Sequence, residues 1–202
     1  MSPLDLLGMD SIRPVHPVLY DLLETACAYI KPRRYLEIGV RNGDSLRCVL
    51  MAAPMIDHLT LCDNWGVEAG GSGHGTHDHI TQLLRDLNYA GTVEFLDGSS
   101  HDLLPPLATY PAYCAYDLIL VDGDHTESGA RRDLLDTWPL LRPEGVLVFD
   151  DIHHPGHPEL LGVYRAFLRE TNAIVLAERS DFVQGHASGT AVIQKRATDG
   201  RA

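Results

Sequence analysis

Carboxylates close two apolar runs in this chain. Asp117-Leu118-Ile119-Leu120-Val121 leads into Asp122-Gly123-Asp124-His125, and Gly145-Val146-Leu147-Val148-Phe149 leads into Asp150-Asp151-Ile152-His153-His154. Two like charges about 4 Å apart repel by roughly 4 kcal/mol at an effective dielectric of about 20. If the two runs lie side by side, their carboxylates need a cation, a shared proton or open water. Oxygen ligands of this kind favour Mg²⁺, Ca²⁺ or Mn²⁺.

Both runs are short, apolar and β-branched, as central parallel strands covered on two faces must be. Ligands of open α/β sheets bind outside the carboxyl ends of such strands. Five strands are predicted at Tyr35–Ile38, Leu59–Cys62, Val93–Leu96, Leu118–Val121 and Val146–Phe149. Helical patterns alternate with them at Pro17–Ile30, Asp44–Ala53, His79–Asn88, His101–Leu107, Glu127–Leu141 and Glu159–Glu170. Two last strands, Ala173–Ala177 and Thr190–Gln194, are expected around a turn at Gly185 to Gly189. The alternation predicts an α/β, Rossmann-like, doubly wound sheet of seven mostly parallel strands, the last antiparallel. One domain over residues 1–202 is expected, with an N-terminal helical segment at 1–33. Asn64 to Asp78, rich in Gly and His, reads as a loop covering the carboxyl edge.

The first strand ends Glu37-Ile38-Gly39-Val40-Arg41-Asn42-Gly43-Asp44-Ser45. Gly39 and Gly43 bracket a turn where main chain can approach a ligand, before a helix start with free amides. Arg41 breaks the G-x-G-x-x-G dinucleotide pattern. Asp63 ends the second strand and can accept from both hydroxyls of a ribose. Together these point to an adenosine-containing ligand. Gly98-Ser99 ends the third strand; Ser99 either meets an adenine edge or simply caps a helix.

The chain carries 16 basic and 28 acidic residues, a net charge of −12, which argues against a nucleic-acid surface. No signal-peptide pattern and no run of membrane-spanning length are seen, so no membrane partner is expected. Cys27, Cys48, Cys62 and Cys114 form no C-x-x-C pair and read as reduced thiols of a cytoplasmic protein. Tyr110, Tyr113 and Tyr116 are expected to pack before the fourth strand.

Glu37-x-Gly39-x-x-x-Gly43, Asp63, Gly98-Ser99 and the two acidic strand ends resemble the class I S-adenosylmethionine-dependent methyltransferases. Val121-Asp122-Gly123-Asp124-His125, Arg132-Asp133, Trp138-Pro139-Leu140-Leu141-Arg142-Pro143-Glu144-Gly145 and Asp150-Asp151 resemble one branch more closely. That branch is the metal-dependent sugar O-methyltransferases of the macrocin and mycinamicin type, with catechol O-methyltransferase a more distant relative. The resemblance covers about Tyr35 to His153. Its more specific part is the Asp-Gly-Asp-His segment, with Asp150-Asp151 following 28 residues after Asp122.

The resemblance implies O-methylation of a small hydroxylated molecule with S-adenosylmethionine as cofactor and Mg²⁺ assistance. It implies Glu37 and Gly39 against the methionine part, Asp63 against the ribose and Ser99 against the adenine. Gly43, Ser45, Asn64, Gly98 and Asp122 complete the expected cofactor set. Asp122, Asp150 and Asp151 would bind the metal, and Asp124 or His153 would be the base. The chemistry agrees: in-line methyl transfer needs an aligned oxygen nucleophile, a cation lowers its pKa, and a base removes its proton.

Other readings stay open. They are a metal-independent methyltransferase using His153 or His125 as base, a nucleotide-binding oxidoreductase or nucleotide-sugar domain, and a non-catalytic cofactor-binding protein. His74, His77, His79, His153, His154 and His157 could form a transition-metal site with the aspartates, although lid histidines are more often solvated. The sequence leaves a homo-oligomer open.

Overall fold

The computed structural model describes residues 17–65, 75–183 and 186–197. Seven strands form one sheet: β1 (Arg34–Ile38), β2 (His58–Asp63), β3 (Thr92–Asp97), β4 (Tyr116–Val121), β5 (Leu141–Phe149), β6 (Ile174–Val183) and β7 (His186–Gln194). Their order is β3-β2-β1-β4-β5-β7-β6. β1 to β5 pair in parallel, and β7 runs antiparallel to both β5 and β6. This is the expected Rossmann-like sheet. The strand order turns back between β1 and β4, the place where sheets of this kind open a crevice for ligand.

Among the described residues six α-helices cover the sheet: α1 (Pro17–Ile30), α2 (Asp44–Ala52), α3 (His77–Asp86), α4 (Ser100–Leu107), α5 (Glu127–Thr137) and α6 (Leu160–Thr171). The period of two along each strand splits the apolar runs between two layers. Leu118, Leu120, Val146 and Val148 face the layer of α1, α2 and α3. Ile119, Val121, Leu147 and Phe149 face that of α4, α5 and α6. A continuous apolar run is therefore what a strand between two helical layers requires. Each such side chain contributes about 1.5–3 kcal/mol by leaving water.

Some boundaries differ from expectation. The helix begun at Glu127 ends at Thr137, capped by Trp138 ahead of Pro139, and Leu141 already belongs to β5. Proline cannot supply the amide that a continuing helix needs. β6 and β7 are longer than their apolar cores suggest, and Gly189 lies inside β7, paired with Ser180, instead of in a turn. α3 starts at His77, two residues before the expected position. Tyr116 is buried at the start of β4, whereas Tyr110 is 60% exposed and does not pack there. Of the expected N-terminal segment, residues 1–16 lie outside the described residues, as do residues 66–74 of the expected covering loop, His74 among them. Among the described residues no helix is long and apolar enough to cross a membrane.

Candidate active site

The carboxyl ends of β1 to β5 line a cleft of about 900 Å³. Val121 pairs with Phe149, so Asp122 and Asp150 leave the sheet abreast. The two apolar runs are neighbours, and their acids do meet.

Gly39 and Gly43 hold the β1–α2 turn, at φ +84° and +78°. A Cβ at Gly39 would collide with the main-chain carbonyl of Asp122. Only glycine lets β1 and β4 approach so closely here. Gly43 faces away from the cleft, toward the Leu83 and Ile80 side chains of α3. Asp63 faces the cleft and braces its rim: Oδ2 accepts from the Arg41 amide at 2.7 Å and Oδ1 from the Trp65 amide at 2.6 Å. Its remaining lone pairs can still accept from a ligand hydroxyl. Asn64, Gly98 and Ser99 line the same side. Ser99 takes the N-cap position of α4, yet its side chain makes no capping bond.

Glu37 lies beneath this wall without lining it. It is fully buried, bonded by Ser45 Oγ and, at 2.9 Å, by the Tyr35 hydroxyl. Burial drives its carboxyl from the usual 4.5 up to about 8, against the two hydrogen bonds that favour the charged form. Glu37 thus keeps its proton after the unfolded chain has lost it. The stability this gives is complete below about 4.5 and is lost as pH rises through about 8, at up to about 1.4 kcal/mol per pH unit. Glu37→Gln is expected to flatten the decline in stability between pH 5 and 8, measured by urea unfolding. Parallel wild-type and variant curves would contradict this.

The acidic side is arranged unequally. Asp150 is buried and accepts from Thr190 Oγ1 of β7. Burial, then the charges of Asp122 and Asp151, hold its carboxyl well above the ordinary range. Asp151 turns back at φ +60°, a left-handed conformation that Asp tolerates better than most residues. His125 bridges the turns, with Nε2 3.4 Å from Asp122 Oδ1 and 3.0 Å from Asp151 Oδ2. Ligand atoms of Asp122, His125 and Asp151 lie within 4.8 Å of one another. The two carboxylates raise the imidazole to about 10, against its burial.

Asp124 also lines the cleft. Its burial would raise its carboxyl, but the Thr126 amide at 2.8 Å and His101 hold it below the usual value. Beneath it, buried Asp133 accepts from Ser100 Oγ at 2.5 Å and from the Asp124 amide at 3.1 Å, tying the β3 and β4 turns together. His153 does not line the cleft. It packs over Gly189 of β7, with Nε2 3.8 Å from Glu178. His154 and His157 do not join the cluster either, although the His157 ring lies 5.0 Å from that of His125.

Sequence reasoning missed Leu19, Tyr20 and His101. The first two reach the cleft from the first turn of α1, and His101 lies between Asp124 and Asp133, 3.4 Å from each. The amphipathic stripe of α1 was a signal for packing only, and nothing adjacent to His101 in sequence marks it.

The family described as a methyltransferase domain matches residues 36–152, from β1 to the turn after β5. No curated protein matches the chain. Among solved structures, the O-methyltransferase TomG of Streptomyces achromogenes, in complex with SAM, is 22% identical with a TM-score of 0.67, covering 88% of this chain and 79% of that one. An O-methyltransferase family protein of Burkholderia thailandensis is 16% identical with a TM-score of 0.63, over 94% of this chain and 59% of that one. The N-methyltransferase NodS of Bradyrhizobium japonicum WM9, in complex with S-adenosyl-L-homocysteine, is 16% identical with a TM-score of 0.62, over 95% and 90%. At these identities the likeness is one of fold.

Proposed function

The chain belongs to the methyltransferase-domain family, and on that premise we propose that it moves the sulfonium methyl group of S-adenosylmethionine to a hydroxyl of a small molecule, assisted by Mg²⁺. The observation that carries this reading is a single cleft with two unlike ends. At one lie Gly39, Asp63 and Ser99, suited to a nucleoside; at the other lie Asp122, Asp150 and Asp151.

The donor set fits a hard divalent cation. Asp122 and Asp151 converge with His125, and Asp150 is buried beside them, its carboxyl pushed well up by burial and by the charges of the other two. A dication would let all three ionise, and carboxylate oxygens are what Mg²⁺ and Mn²⁺ prefer. Bound there, the cation would lower the pKa of an acceptor hydroxyl and fix its direction. The carboxylates would then no longer hold the proton of His125. Its Nε2, in the cleft wall, becomes the group best placed to take the hydroxyl proton. Asp124, kept acidic by Thr126 and His101, is a weaker base, and His153 points toward Glu178. Asp63 would fix the ribose and Ser99 the adenine, leaving the sulfonium methyl to face the acidic end.

One observation favours a second reading, a transfer without metal. His125 already sits between Asp122 and Asp151, as a positive charge could. Activity that survives chelator would select it.

Calorimetry tests the donor. S-adenosylhomocysteine is expected to bind with micromolar affinity while NAD gives no heat of binding. Binding of NAD in preference would move the chain to nucleotide-linked redox chemistry and sink the proposal.

A further inference from the structure

We propose that Arg41 selects an acceptor bearing an oxyanion, a carboxylate or phosphate, beside the hydroxyl that is methylated. This rests on the methyltransferase reading and adds a substrate class to it.

Arg41 is the sole Lys or Arg among the described residues that line the cleft, where Asp44, Asp63, Asp122, Asp124, Asp150 and Asp151 supply carboxylates. Among the described residues none of them forms an ion pair with its guanidinium. Asp63 meets Arg41 through the main chain, accepting from the amides of Arg41 and Trp65.

The main chain of Arg41 is fixed from two sides. Asp63 takes its amide at 2.7 Å, and the Gly75 amide donates to its carbonyl at 3.0 Å. It is held at φ +50°, a left-handed conformation in which Gly or Asn would sit with less strain. A long cation is thus mounted on a rigid base at the rim. The guanidinium fork is suited to bidentate contact with a carboxylate or phosphate.

Depth points to the acceptor. The sulfonium and ammonium of the donor, and a divalent cation, all call for aspartates, so none of them accounts for a guanidinium on the same wall. An anionic group on the acceptor would. Asp63 and Ser45, on the donor side, are each 8% exposed, whereas Arg41 stands open at the mouth. The donor's own carboxylate is the other source of the same chemistry, and the test separates the two.

Wild type, Arg41→Gln and Arg41→Lys would be titrated first with S-adenosylhomocysteine. The expected affinities agree within about threefold. A loss of tenfold or more in Arg41→Gln would assign Arg41 to the donor carboxylate and overturn the proposal. The proteins, loaded with Mg²⁺ and S-adenosylhomocysteine, would then be titrated with matched diols. Suitable pairs are 3,4-dihydroxybenzoate against 3,4-dihydroxybenzyl alcohol, and glucuronate against glucose. Wild type is expected to bind at least one anionic member tenfold or more above its neutral match. Arg41→Gln should erase that preference and Arg41→Lys should keep part of it. If no anionic member binds better than its match, or the preference survives in Arg41→Gln, the proposal is overturned. Failure of wild type to bind S-adenosylhomocysteine at all would instead count against the methyltransferase reading beneath it.

Discussion

Asp151→Asn is expected to slow methyl transfer at least about a hundredfold, roughly 2.7 kcal/mol of transition-state stabilisation. The change is nearly isosteric. Asn also tolerates the left-handed conformation that residue 151 adopts, so the turn after β5 should keep its shape. One negative charge disappears from the cluster that brings Asp122, His125 and Asp151 within 4.8 Å of one another. The proposed cation would lose a ligand, and His125 would lose the closer of its two carboxylate partners, at 3.0 Å. Affinity for S-adenosylhomocysteine should stay within about threefold, because Gly39, Asp63 and Ser99 are untouched. The measurement is the rate of S-adenosylhomocysteine formation across a Mg²⁺ titration. A variant with wild-type rate and wild-type Mg²⁺ dependence would remove Asp151 from the chemistry.

Gly39→Ala should have the largest effect on the fold itself. At φ +84° any side chain is strained, and here the added Cβ would also lie 2.7 Å from the carbonyl carbon of Asp122 and 3.2 Å from the Gly123 amide. Neither obstacle is a flexible side chain. β1 or β4 must shift, with a cost of about 3–5 kcal/mol and a fall in Tm on the order of 10 °C. The shift would move Asp122 itself, so residual folded protein should also have lost Mg²⁺-dependent activity. Gly43→Ala provides the contrast. The same strain applies at φ +78°, but its Cβ would meet only the ends of Leu83 and Ile80, at 2.7 and 2.9 Å, which can yield. A smaller loss, about 1–3 kcal/mol, is expected there. Equal losses at the two glycines, read by thermal unfolding, would contradict the role given to the β1–β4 approach.

These expectations draw on features of unequal legibility in the sequence. β4 and β5 were readable because each holds an apolar run between two helical layers, whereas β1, β2 and β3 carry polar residues such as Glu37, Thr60 and Glu94 and were readable from their alternation with helical patterns. Acid at the ends of β4 and β5 was readable for the same reason. The hairpin was less so. β6 and β7 extend through polar residues such as Glu178, Arg179 and Ser188, whose place in strands is set by pairing partners and not by their own preference.

Within the site, residue types were legible and directions were not. Asp150 and Asp151 look equivalent in sequence, yet Thr190, forty residues on, draws the first into the interior. Gly189 next to it gives His153 room to lie away from the cleft. Glu37 belongs to the first glycine motif but supports Ser45 from below. His101 acquires its place from the packing of α4 beside α5, which sets it against Asp124 and Asp133, a long-range fact without local trace.

Anomalous scattering from Mn²⁺ in a crystal grown with S-adenosylhomocysteine tests the central claim most directly. One peak is expected between Asp122 and Asp151, at about 2.2 Å from their oxygens, with the nucleoside against Asp63 and Ser99 in the same cleft. A bound cofactor with no peak at these carboxylates would contradict the metal-assisted account, and a nucleoside lodged elsewhere would contradict the cleft itself.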